Sequence, residues 1–295
     1  MQGKVDGMTQ DEAKGLVARR AAELVEDGMV VGLGTGTTAT KFIRELAGRV
    51  QKGELKIRCV ASSDASHELA VSLGMDVATL VELPELDLYI DGADEVCVSG
   101  GGELDLIKGG GGALLREKIV ASAAKRFICV VDSSKLVKML GKFPLPVEVV
   151  KMALPVVEPK LAALGLHPTL RMKKSVSQGL KPLLSGAGQN AKAEALAYPE
   201  AKAYPVALAY PDALAYPDAK AKDEANDHEA PGTGEPYVTD EGNYILDCAC
   251  GRIEEPEVTA AEIRGIVGVV EHGLFLGMAT VALVGGEDGV REFRA

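Results

Sequence analysis

Tryptophan is absent from this 295-residue chain, and aromatic residues make up only 4% of it. Binding of single-stranded nucleic acid by base stacking needs aromatic platforms, so composition argues against that class. Positive charge is in deficit too. Lysine and arginine number 32 against 43 aspartates and glutamates, for a net charge of −11. A phosphate-backbone binder needs a basic stripe, so no nucleic-acid partner is expected. A small anionic substrate stays open, because the field of a local site can oppose the global charge. No run approaches the ~18 apolar residues of a membrane span. The N-terminus is charged from Lys4 onward and shows no apolar signal core, so neither a membrane partner nor a secretory leader is expected.

Histidine is sparse, and His67, His167, His228 and His272 are scattered. No set of histidine, cysteine and carboxylate has ligand spacing, so no metal is expected. Five cysteines are present, an odd count, and Cys248 and Cys250 form a C-x-C without a second ligand pair. They read as buried thiols in a reducing compartment, which points to the cytoplasm.

Hydrophobic residues supply 47% of the chain, enough for a sizeable core and two domains. The organising stretch is Lys108-Gly109-Gly110-Gly111-Gly112-Ala113-Leu114-Leu115-Arg116-Glu117-Lys118-Ile119. Four glycines give backbone that reaches positive φ and lies against a ligand with no Cβ in the way. A strong helix former sequence follows, so the glycines sit at a helix N-terminus, where free N–H groups favour negative charge. On that helix the face-mates of Glu117 are Ala113, Val120, Ala121 and Ala124. No cation is among them. A carboxylate on a small apolar face has its pKa raised by desolvation, which suits a general base near neutral pH. The competing reading is a solvated surface glutamate.

From the N-terminus the chain repeats one pattern, a strand, then a polar cluster, then a helix. Thr9 and Glu12 fit a capping box ahead of the first helix. Strands are expected at 29–33, 56–61, 86–90 and 127–131. Polar clusters follow them at Gly34 to Ala39, Ser62 to Ser66, Asp91 to Glu95, and Asp132 to Lys135. In an open parallel sheet, ligands bind beyond the carboxyl ends of the strands, so these clusters should share one crevice. After Gly141 the order becomes βαββαβ, with a strand expected over 269–276 and a helix from Thr259, which has capping-box spacing to Glu262. A last strand from Val281 should return to the first sheet. The expected class is α/β, a Rossmann-like parallel-sheet domain over 1–140 and 279–295. A smaller ferredoxin-like α+β domain should span 141–172 and 236–278. Residues 173–235 carry a six-residue repeat, seen at Tyr198-Pro199, Tyr204-Pro205, Tyr210-Pro211 and Tyr216-Pro217. That low-complexity insertion reads as extended or disordered.

The individual motifs each leave two readings. Gly34-Thr35-Gly36-Thr37-Thr38 is neither a dinucleotide fingerprint nor a P-loop. It is either a structural turn or a binder of phosphate or sugar hydroxyls. Asp91-Gly92-Ala93-Asp94 is a capped turn or two carboxylates aimed at one ligand, one of which would hold a proton. Lys135 is a solvent-facing lysine or a cation for phosphate.

Taken together these stretches, with Gly141-Lys142-Phe143-Pro144-Leu145-Pro146-Val147-Glu148-Val149, resemble type A ribose-5-phosphate isomerase. The resemblance covers residues 9–172 and 236–290 in order, and the 173–235 insertion departs from it. It implies interconversion of D-ribose 5-phosphate and D-ribulose 5-phosphate through an enediolate, with no cofactor or metal. It implies Glu117 as general base, Lys108 as the stabiliser of oxyanion charge, and Asp91 and Asp94 as acids that contact substrate hydroxyls and assist ring opening. Thr35, Gly36, Thr37, Thr38, Gly92, Ala93, Gly109, Gly110, Gly111 and Lys135 would complete a sugar-phosphate site. It also implies a homo-oligomer, dimer or tetramer. A sugar-phosphate sensor of related fold and a coenzyme A transferase-like enzyme are the alternatives from other classes.

Overall fold

The structure is a computed structural model that describes residues 4–5, 7–173 and 234–295. The 173–235 insertion therefore lies outside the described residues except at its two ends. Of the described residues, 4–5, 7–173 and 235–295 belong to one compact unit.

Six parallel strands lie in the order Val77–Ala78, Arg58–Ala61, Val30–Leu33, Leu88–Asp91, Phe127–Asp132 and Val281–Gly286. Val281–Gly286 thus returns to the first sheet, and Gly289–Arg294 folds back on it as an antiparallel edge. The two central strands, Leu88–Asp91 and Phe127–Asp132, are buried at every position, as strands covered on both faces must be. Strand order reverses between Val30–Leu33 and Leu88–Asp91, and the crevice at such a switch point is where open sheets bind ligands.

Three helices cover this half of the chain. Helix α1 (Gln10–Glu23) starts with the expected capping box. Thr9 Oγ1 accepts from Glu12 N–H at 3.2 Å, and Glu12 Oε2 accepts from Thr9 N–H at 2.8 Å. Its small buried face lies so close to the sheet that a Cβ on Gly285 would sit 2.7 Å from Ala13 O. Helix α2 (Thr37–Gln51) buries Phe42, Ile43 and Leu46, and α3 (Asp64–Ser72) follows the next strand.

Between the Asp91 cluster and the glycine run the chain makes a hairpin, Glu95–Val98 with Leu104–Ile107, that pattern reading did not separate. Its second strand delivers Lys108 and the glycines to α4 (Leu114–Ser122). A four-stranded antiparallel sheet follows, in the order Pro168–Leu170, Tyr244–Cys248, Leu145–Val149, Val269–His272. Helices α5 (Leu154–Ala163) and α6 (Pro256–Arg264) connect its strands in βαββαβ order.

Three local expectations are corrected. Helix α6 begins at Pro256, whose fixed φ suits the first turn, so Thr259 lies inside it and caps nothing. Tyr237-Val238-Thr239, whose sequence reads as a strand piece before the Asp240-Glu241-Gly242-Asn243 turn, forms no strand. The expected 269–276 strand divides at Gly273. Val269–His272 stays in the small sheet, and Leu274–Phe275 pairs with Leu104–Ile107 instead. A Cβ at Gly273 would lie 2.3 Å from Lys108 O, so only glycine lets the two chains cross there.

The ends of the insertion meet. Lys173 N–H donates to Glu235 O at 2.9 Å, and their side chains pair at 2.8 Å. A short turn joining Lys173 to Glu235 should therefore preserve the fold. Loop-closure entropy falls by about 0.6 kcal/mol for each halving of a flexible loop, so thermal unfolding of the shortened chain should occur at the same temperature or higher. A markedly lower unfolding temperature would contradict this.

Candidate active site

The site is assembled where two strand ends meet. Gly34 leaves the Val30–Leu33 strand against Asp91 so closely that a Cβ would lie 2.3 Å from its carboxylate. Thr35 N–H donates to Asp91 Oδ1 at 2.9 Å. The Thr35 hydroxyl is turned toward Ser62 and Ser63, each at 2.9 Å. Gly36 caps α2 at φ +95° and offers no side-chain acceptor, so the first N–H groups of the helix are left for another partner. Thr37 is exposed there, and Thr38 is buried beneath it.

The two aspartates are not equivalent. Asp91 is still in the strand and fully buried. Its Oδ1 accepts from the N–H groups of Thr35 and Gly92, and its Oδ2 accepts from the Tyr89 hydroxyl and Lys108 Nζ. Four donors occupy a carboxylate fully, and Asp91 is not on the cavity wall. The reading of two carboxylates aimed at one ligand is corrected accordingly. Asp94 alone faces the cavity, and it accepts from Gly110 N–H at 2.8 Å.

Lys108 is 2% exposed. Its Nζ donates to Asp91 Oδ2 at 2.7 Å and to Gly92 O at 2.5 Å, and lies 5.4 Å from the Phe275 ring centre. Burial disfavours its charge, but the carboxylates of Asp91 and Glu117 outweigh burial and hold its pKa above that of an ordinary lysine.

Glu117, in the first turn of α4, is 3% exposed. Its Oε2 lies 3.2 Å from Lys108 Nζ. That contact is an ion pair out of hydrogen-bonding alignment, and Oε2 is left without a hydrogen-bond partner. Burial pushes the Glu117 carboxyl up to about 8, against the pull of Lys108 and with a further push from Asp91. The small face predicted this burial. Lys108 reaches it from another element, which the helical spacing did not show.

The glycine run serves the protein more than its spacing implied. A Cβ on Gly109, at φ +105°, would strike Leu114, one on Gly110 would strike Asp94 and Phe143, and one on Gly112, at φ +93°, would strike Tyr237. Only Gly111 has open space around it. Gly109 and Gly111 line the cavity, and Gly110 stands behind it.

Thr35, Gly36, Thr37, Thr38, Gly92, Ala93 and Lys135 complete the placement of the expected residues on the same wall. Lys135 ends a short turn after the Phe127–Asp132 strand. Two lining residues escaped sequence reading, Lys14 and Val131, and Asp132 was expected at the crevice only as part of its polar cluster. Lys14 comes from α1 and donates to Thr37 Oγ1 at 3.1 Å, which puts a cation at the N-terminus of α2. The cavity is about 140 Å³. That is small beside the ~300–1,000 Å³ usual for drug-sized ligands, and it suits a compact polar substrate. Among the described residues no group of three or more His, Cys, Asp or Glu is disposed to hold a metal ion. No described helix is long and apolar enough to cross a membrane.

Known proteins resemble this chain over almost its whole length. A family model described as ribose 5-phosphate isomerase A (phosphoriboisomerase A) matches residues 58–190 and 215–289. Ribose-5-phosphate isomerase A of Synechococcus sp. (strain JA-3-3Ab) is 40% identical over 285 residues, covering 96% of this chain and 97% of the relative. The protein of the same name from Roseiflexus castenholzii (strain DSM 13941 / HLO8) is 41% identical over 93% of this chain and 92% of its own. The solved ribose 5-phosphate isomerase A of Methanocaldococcus jannaschii superposes with a TM-score of 0.74 at 33% identity, covering 97% of this chain and 100% of that one. A D-ribose-5-phosphate isomerase in complex with phospho-erythronic acid gives 0.75 at 30% identity, covering 98% and 100%. With relatives this similar aligned from end to end, the chain belongs to the ribose 5-phosphate isomerase A family.

Proposed function

We propose that this chain interconverts D-ribose 5-phosphate and D-ribulose 5-phosphate, a step of the non-oxidative pentose phosphate pathway, with no cofactor. The observation that carries the reading is the buried Glu117 carboxyl, raised to about 8 and 3.2 Å from a lysine ammonium. Aldose and ketose differ in where one carbon-bound and one oxygen-bound hydrogen sit. The exchange needs a base that works between adjacent carbons and a cation beside the oxygen that becomes negative.

Glu117 takes the proton from C2 of the open-chain aldose. The electrons of the C2–H bond form the C1=C2 bond of an enediolate, and negative charge moves to the C1 oxygen. Lys108 lies beside that charge as a preorganised, desolvated donor. Glu117 then returns the proton to C1, the O2 proton passes to O1, and a ketone is left at C2. Asp91 keeps Lys108 charged and in place. Asp94, on the wall, contacts sugar hydroxyls and assists ring opening. Lys14, Lys135 and the free N–H groups at the start of α2 take the phosphate. The complex of a relative with phospho-erythronic acid supports a phosphorylated anion as ligand. We place the enzyme in the cytoplasm as a homo-oligomer. Five unpaired thiols fit a reducing compartment, and the oligomer rests on family membership.

Glu117→Gln keeps the shape of the side chain and removes the base. Its kcat should fall by about 10²–10⁴-fold with KM little changed, in buffer that contains a chelator. Exchange of the substrate C2 hydrogen with solvent should fall in parallel. Near-parental exchange in this variant would move the base to another residue.

The pH dependence has a definite sign. The base must be deprotonated in the free enzyme, and burial holds the Glu117 carboxyl at about 8. The parent kcat/KM should therefore climb as pH rises toward 8 and level off above it. A profile already flat from pH 5 would show a base of ordinary acidity.

A further inference from the structure

Arg171 lies just beyond the Pro168–Leu170 strand, outside the cavity, with its side chain 13% exposed. Its Nε and Nη2 bind the two carboxylate oxygens of Asp247, Nε to Oδ2 at 2.8 Å. This fork fixes the plane of the guanidinium and leaves Nη1 pointing elsewhere. Nη1 donates to Gly109 O at 2.8 Å and to Gly110 O at 3.3 Å. Next to it, Tyr237 packs its ring 5.9 Å from the guanidinium carbon and directs its hydroxyl at Gly111 O, 3.4 Å away. Three successive carbonyls of the glycine run thus meet donors supplied from the segments that flank the small sheet.

In a trans peptide the carbonyl and the following N–H point in opposite directions. A carbonyl of Gly109 held toward Arg171 sends Gly110 N–H the other way, where it meets Asp94 Oδ2 at 2.8 Å. A carbonyl of Gly110 held toward Arg171 likewise turns Gly111 N–H away from the small sheet, and Gly111 lines the cavity. Glycine has the widest choice of backbone states, so four in a row do not choose these planes unaided.

We propose that Arg171, locked by Asp247, is a positioning residue that sets the peptide planes of Gly109 to Gly111, and through them the place of Asp94 and the course of the chain between Lys108 and Glu117. Its effect on turnover rests on the isomerase reading, whereas its effect on the loop does not. Lysine cannot substitute. One ammonium has no planar fork with which to hold Asp247 and a third nitrogen with which to reach both carbonyls.

The test compares Arg171→Lys, Arg171→Met, Asp247→Asn and the Arg171→Lys/Asp247→Asn double variant with the parent. Amide hydrogen exchange over residues 108–116 is read with thermal unfolding, kcat and KM on ribose 5-phosphate, and affinity for inorganic phosphate. The expected result is faster exchange in the glycine run while the central sheet stays protected. The kcat/KM should fall by roughly 10–100-fold, chiefly in kcat, as small misplacements of reacting groups do. Phosphate affinity should be kept, because Lys14, Lys135 and α2 are untouched. The double variant should lose no more than the worse single one, since the two residues act as a unit. Unchanged exchange in the glycine run of a folded Arg171→Met protein would overturn the proposal. So would a loss of activity in Arg171→Lys or Asp247→Asn that follows lowered thermal stability, with exchange rising equally in the central sheet. If the parent itself does not turn over ribose 5-phosphate, the isomerase reading fails, and the exchange measurement alone decides the clamp.

Discussion

One buried amine shared by two carboxylates governs this site. Lys108 and Asp91, 2.7 Å apart and out of water, balance each other's charge. An ionised Glu117 adds a further negative charge that nothing in the interior cancels, and burial makes that costly. This is why its carboxyl holds a proton far above the range of an exposed glutamate, although a lysine stands 3.2 Å away. The same balance favours the chemistry. When Glu117 takes a proton from substrate, it becomes neutral as negative charge appears on the substrate oxygen. The total charge near Lys108 is unchanged, so the surroundings need little reorganisation. Removal of Lys108 would leave Asp91 uncompensated in the interior, which typically costs about 3–5 kcal/mol.

The neighbours of the base hold it from behind, one of them through the small sheet. The two residues flanking Glu117 are both tied down. Arg116 pairs with Asp64 at 2.6 Å and Glu241 at 2.5 Å. Lys118 Nζ meets Glu271 Oε1 at 2.9 Å and His272 O at 2.6 Å. Burial pulls the Lys118 amine down to about 8 and, with the adjacent Lys118 charge, the His272 ring to about 3, so that histidine stays neutral. A nine-residue helix is too short to be stable alone, and these contacts fix its register on the sheet. The antiparallel sheet therefore serves the chemistry although the cavity opens at the ends of the parallel strands.

Much of this was legible in the chain. Burial of Glu117 could be read from Ala113, Val120 and Ala121, which share its face and are buried with it. The parallel sheet could be read from apolar runs that each end in a polar cluster. What could not be read was direction. Asp91 and Asp94 stand three residues apart in one motif, yet the strand carries the first inward and the hairpin carries the second to the wall. Lys14 looked like any charged residue of a solvated helix face, and only packing of α1 beside α2 brings it to the cavity. The glycine run was read as room for a ligand, but Leu114, Asp94, Phe143 and Tyr237 fill most of that room. Local pattern reports periodicity and propensity, and it is silent on which distant group will occupy the space a missing Cβ leaves.

The central claim is that burial beside a balanced Lys108–Asp91 pair sets the proton affinity of Glu117. Carbon-13 NMR titration of the glutamate carboxyls, with Glu117→Gln to assign the signal, measures it directly in the ligand-free protein. The account predicts a midpoint near 8, because burial outweighs the lysine. It also predicts a higher midpoint in Lys108→Met, if that variant folds, since the cation that lowers it is gone. A midpoint close to 4.5, the ordinary value for glutamate, would contradict the account.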